Sequence, residues 1–213
     1  MPGVCTQRIT KENAMHGPAF FHPVLLPSAL ALCALVGGGP ASAASQASPP
    51  SLVQAFHAAE ASLRRIPGDD IESDFRPVWT AVADLDGDGR AEVIYLYTST
   101  YTGGSFAQSN VVAVMTALSR NDPRGQENPK SLSPVEAEDF AAIRASGYGD
   151  DAGEQIPGAV HSIRIEGDHI IVAFKVAAGA RTCDVVDYKH VCPPDGDYVW
   201  TLRWTPGKLT RVD

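Results

Sequence analysis

Basic residues are scarce in this chain: 17 lysines and arginines stand against 25 aspartates and glutamates over 213 residues, a net charge of −8. A surface of that sign repels phosphate backbones and anionic lipid, so nucleic acid is a poor partner and cations, metal ions above all, suit it better. Cysteine is scarcer still, at four residues, which rules out a disulfide-dense miniature scaffold. No serine sits in a G-x-S-x-G elbow, and no repeat of fixed period runs through the chain. His161, His169 and His190 lie in or beside strand-like segments without the neighbours of a catalytic triad.

What the first forty-odd residues do contain is an export signal. Arg8 and Lys11 precede the uncharged stretch of residues 19–36, AFFHPVLLPSALALCALV, and a run of small residues with Ala41-Ser42-Ala43 follows. Basic, apolar and small-residue regions in that order predict a signal peptide over residues 1–43, with Met1 or Met15 as the start. Pro23 and Pro27 disfavour an uncleaved spanning helix, and Leu32 before Cys33 disfavours lipidation. Cleavage removes Arg8, Lys11 and Glu12, leaving the remainder one unit more negative than the whole chain. A periplasmic or secreted protein without membrane attachment after cleavage is the expectation. In that compartment the two remaining cysteines, Cys183 and Cys192, are expected to pair, closing a loop of eight residues.

Residues 44–50 read as a linker and 51–213 as a single domain. Ser51 caps a helix over residues 52–65, with Leu52, Phe56, Ala59 and Leu63 at helical spacing and Pro67-Gly68 as its stop. From Pro77 the period becomes strand-like: residues 78–82, 92–98 and 110–118, with residues 99–109 as an exposed loop. Residues 119–133 form a polar excursion, and Ser133-Pro134 with Glu136 opens a second helix to about residue 145. Residues 147–158 read as loop. Two hairpins close the chain, 159–166 with 169–177 and 197–204 with 208–212. The fold class is α+β: a mainly antiparallel sheet of six or seven strands with an N-terminal helix and one further helix.

Between the first two strands stands Asp84-Leu-Asp86-Gly-Asp88-Gly-Arg90-Ala-Glu92. Carboxylates at positions one, three, five and nine, with Gly89 at six and the Arg90 carbonyl at seven, can curl around one hard cation, which takes six to eight oxygens. The bland alternative is a solvated Asp-Gly turn with its acids splayed into water. Position twelve is Tyr95 and a strand follows, so the loop is no standard EF-hand.

The run VADLDGDGRAEVIYLY, from Val82 to Tyr97, resembles the strand-loop-strand element of FG-GAP/VCBS-type repeats. That resemblance implies calcium held by Asp84, Asp86, Asp88, the Arg90 carbonyl and Glu92. Members of that family carry several such repeats in a propeller, whereas one copy here implies a single calcium staple. The expected role is a non-enzymatic binding module for a protein or carbohydrate partner, the alternative a small hydrolase. Tyr95, Tyr97 and Tyr101 with Trp200 and Trp204 are the candidate recognition face.

Overall fold

The computed structural model describes residues 48–65, 71–103, 107–125, 134–186 and 189–213. The export signal of residues 1–43, the Pro67-Gly68 helix stop and the Ser133 cap lie outside them. Among the described residues no helix is long and apolar enough to cross a membrane.

Helix α1 (Leu52–Leu63) begins where the sequence places it, because Ser51 and Gln54 form a reciprocal capping box. Ser51 Oγ accepts from the Gln54 amide and Gln54 Oε1 accepts from the Ser51 amide; such a cap contributes about 1 kcal/mol. Its buried face matches the expected one at Ala59 and Leu63 only. Ala55, Ala58, Ala59 and Leu63 are inside, whereas Leu52 is 61% exposed. The large side chains of this interface come from the sheet below, Tyr95 and Met115, and small helix residues let the two layers close at interior density.

Among the described residues, nine strands form two antiparallel sheets. The first holds β1 (Ile71–Glu72), β2 (Trp79–Ala83), β3 (Glu92–Tyr101), β4 (Gln108–Ala117) and β5 (Tyr148–Ile156). One edge of β3 carries both β2, along Glu92 to Leu96, and β1, at Thr100 and Tyr101; the other edge carries β4, which pairs with β5. The second sheet comprises β6 (Ala159–Glu166), β7 (His169–Val176), β10 (Gly196–Thr205) and β11 (Lys208–Arg211), in the order β11-β10-β7-β6. The expected α+β class therefore holds, with more strands than the six or seven expected and with two sheets in place of one.

The sheets pack face to face through Ile94, Leu96, Val112 and Val114 on one side and Ile170, Val172, Phe174 and Leu202 on the other. Helix α1 covers the opposite face of the first sheet, and α2 (Pro134–Ser146) packs beside it. This layering explains the unbroken apolar run of β3. Val93, Tyr95 and Tyr97 face the helix while Ile94 and Leu96 face the second sheet, so strand alternation is hidden when both faces are covered.

Two segments differ from the reading as loop. Strand extends into both ends of residues 99–109, since β3 runs to Tyr101 and β4 starts at Gln108. Residues 148–156, YGDDAGEQI, form β5 despite two glycines and three acids, all poor strand formers. Eight residue pairs with β4 hold it, with a bulge at Asp151. The chain then crosses between sheets at Gly158, where a Cβ would lie 2.5 Å from the Lys175 carbonyl oxygen. Only glycine fits there, and its own carbonyl accepts from the buried Asn110 amide at 2.7 Å.

Cys183 and Cys192 form a disulfide with Cα atoms 4.9 Å apart. It closes the open end of a small hairpin, β8 (Asp184–Val186) against β9 (Lys189–Val191), beside the Asp184↔Val191 pair. A loop of this size contributes about 2–3 kcal/mol on the chain-entropy account.

Candidate metal centre

The acidic loop joins β2 to β3 and is anchored by its one large apolar side chain. Leu85 is 2% exposed and joins the core between the sheets, which turns Asp84 and Asp86, its neighbours in sequence, outward. Gly87 and Gly89 take φ of +76° and +84°, left-handed conformations that glycine reaches without strain. The backbone then folds its amides onto the acids: Gly87 and Gly89 donate to Asp84 at 2.8 and 3.0 Å, Asp88 to Asp86 at 3.0 Å, and Arg90 to Asp88 at 2.7 Å. Each side chain is thereby fixed by a short-range bond.

The result brings Asp84, Asp86 and Asp88 together, with one carboxylate oxygen from each inside a 4.8 Å span. At that separation each pair of charges repels by roughly 1 kcal/mol even at the dielectric of water. The three could hold a metal ion, and a divalent cation reverses the sign of each of these interactions.

Glu92 lies at the loop's end and is 4% exposed. Its Oε2 accepts from the Leu85 amide at 2.8 Å, and among the described residues no cation pairs with it. Burial pushes its carboxyl from 4.5 up to about 7; the Leu85 hydrogen bond opposes this, and the charges of Asp86, Asp88 and Asp84 add to it. A carboxylic acid whose folded value is raised binds more protons folded than unfolded, so it favours folding at low pH. In chelator, stability should therefore fall as pH rises from 4.5 through 7, and Glu92→Gln should flatten that slope in urea melts at several pH values. An unchanged slope in the variant would show that the strain on Glu92 is not its source.

Behind the loop lies a polar cluster that the sequence reading missed. Arg124 donates to both oxygens of Asp122 at 2.9 and 2.7 Å, to Thr116 Oγ1 at 2.8 Å and to Asp151 Oδ1 at 3.3 Å. The hydrogen bonds from Arg124 lower the Asp122 carboxyl from 3.8 to about 2. The bulged Asp151 also accepts from Trp204 Nε1 at 2.9 Å and from the Gly207 amide at 2.6 Å, tying β5 to the β10–β11 turn. A cleft of about 280 Å³ separates this cluster from Asp86, Asp88 and Glu92, and a groove of about 490 Å³ runs along the other side of the loop past Arg203 and Trp204. Adjacent acids in a glycine-containing stretch, Gly149-Asp150-Asp151, gave no periodic signal from which β5 or its contacts could be read.

The aromatic residues do not form the single face expected of them. Tyr95 and Tyr97 lie on the helix side of the first sheet, whereas Trp200 and Trp204 pack against the core between the sheets. His161 and His169 sit beside Asp197 and Asp168 at 3.8 and 2.7 Å, as surface pairs on the second sheet. Compared with protein-family models, curated proteins and solved structures, the chain matches none of them.

Proposed function

We propose that the loop from Asp84 to Glu92 is a structural calcium site in an exported, non-enzymatic binding protein. The observation that carries this reading is the convergence of Asp84, Asp86 and Asp88 on one small volume. Oxygen-only donors on a tight loop suit a hard cation, and calcium tolerates the irregular geometry better than magnesium. The buried Glu92, facing the same three acids without a cation, supports the assignment. By resemblance to FG-GAP/VCBS-type elements, Glu92 and the Arg90 carbonyl complete the ligand set.

Calcium here fixes the β2–β3 connection, and through it the ridge between the two grooves where a protein or carbohydrate partner would dock. The Cys183–Cys192 disulfide is in keeping with an oxidising compartment, periplasmic or extracellular. Calorimetric titration of the purified protein with calcium tests the reading. One ion per chain, lost in Asp84→Asn, Asp88→Asn, is expected; no saturable heat at millimolar calcium would remove the metal role.

A further inference from the structure

A further groove lies on the helix side of the first sheet and shares only Asp151 with the cleft beside the metal loop. The cross-strand rows there are Met115 beside Asp150, Tyr95 beside Ala113 and Gly153, and Tyr97 beside Val111. Ala113 and Gly153 leave the middle row almost without side chain beyond Tyr95, and a Cβ on Gly153 would meet Val111 Cγ1 at 3.3 Å. The opening this leaves is about 300 Å³, bounded by Tyr95, Tyr97, Val111 and Asp150, within the size range of small-ligand sites. Tyr95 and Tyr97 stack at 5.9 Å and 28°, forming one aromatic wall.

The groove offers acceptors that a donor ligand could reach, Asp150 and the Tyr97 hydroxyl. Asp150 accepts from the Tyr95 hydroxyl at 2.9 Å and from the Ser62 hydroxyl. Both donors are more than nine-tenths buried, Tyr95 at 2% and Ser62 at 6% exposure, so they fix the carboxylate from behind while Asp150 itself remains exposed. Two neutral hydroxyls do not offset its charge, and Arg124, the cation beside it, donates to the Asp150 backbone carbonyl at 3.3 Å and forms its ion pairs with Asp122 and Asp151 instead. The Tyr97 hydroxyl has no protein hydrogen bond among the described residues. A fixed anion, a free phenol oxygen and an aromatic wall around a small cavity match an organic cation, through charge-assisted hydrogen bonds and ring-face attraction.

We propose that this groove binds a small primary ammonium compound, its N–H groups directed to Asp150 and Tyr97 and its alkyl portion over Ala113 and Gly153. Nuclear magnetic resonance titration of the whole protein with n-butylammonium, and with n-butanol as the neutral control of the same shape, tests it. Saturable shifts at Tyr97, Gly153 and Asp150 are expected with the ammonium and not with the alcohol. Affinity should fall about tenfold or more in Asp150→Asn, the loss of a charge-assisted hydrogen bond, and also in Tyr97→Leu, which leaves the Ser62–Asp150–Tyr95 contacts in place. Shifts confined to the Asp84–Glu92 loop, equal response to the alcohol, or no saturation in the wild-type protein would each overturn the proposal.

Discussion

Calcium should raise the midpoint of thermal unfolding by about 5–11 °C at a hundredfold excess over its dissociation constant, and Asp86→Ala, Asp88→Ala should abolish the rise. At that excess, linkage supplies about 2.7 kcal/mol, and a chain of this size shifts by about 2–4 °C per kcal/mol. The double variant removes two of the three converging acids but leaves Leu85 in the core and the glycine turns intact. It should therefore fold, and in chelator its stability should stay close to that of the wild type, because the loss of two repelling charges offsets the loss of the amide bonds that Asp86 and Asp88 accept. That pairing separates a metal ligand from a merely structural acid. A structural acid, once removed, costs stability with and without calcium alike.

Phe174→Ala should cost about 3–5 kcal/mol, the range for deleting a fully buried aromatic ring, and lower the unfolding midpoint by about 6–20 °C. Phe174 is 0% exposed and stands at the centre of the inter-sheet core. Its ring stacks on Tyr198 at 5.4 Å and meets the edge of Trp200 at 5.0 Å. It also lies against Gly158, where the chain passes from one sheet to the other. The cavity left by alanine would be lined by β-strands that pair on both sides and cannot collapse to fill it. Val199→Ala on the outer face of the neighbouring strand, 55% exposed, is the control and should change stability by less than about 0.5 kcal/mol. A comparable loss at both positions in urea unfolding would contradict the two-sheet core.

The elements that could be read from the sequence are those with one covered face or one explicit signal. Alternation along β6 and β7, the Gly167-Asp168 turn and the Ser51 cap correspond to β6 (Ala159–Glu166), β7 (His169–Val176) and α1 as found. Periodicity failed where the tertiary arrangement decides. Helix α1 buries its alanines because the sheet supplies the bulk, so Leu63 was a sound guide to the buried face and Leu52 a misleading one. Strand β5 is specified by partners distant in sequence: Ser62 and Tyr95 hold Asp150, and Arg124, Trp204 and Gly207 hold Asp151. No local propensity records such contacts. The same holds for the candidate sites. Asp84, Asp86 and Asp88 announce themselves by spacing within one loop. Asp150, Tyr95 and Tyr97 meet only once two strands and a helix have been assembled, and strand period alone could not tell which layer the tryptophans would join.

A crystal structure of the protein grown in calcium would show directly whether Asp84, Asp86 and Asp88 hold an ion. One ion should stand between Asp84, Asp86 and Asp88, at about 2.3–2.6 Å from their carboxylate oxygens, with the Arg90 carbonyl and Glu92 drawn into the coordination shell. Clear density for the loop with its three acids converged and only solvent between them, in saturating calcium, would contradict it and leave Asp84 to Glu92 as a polar turn.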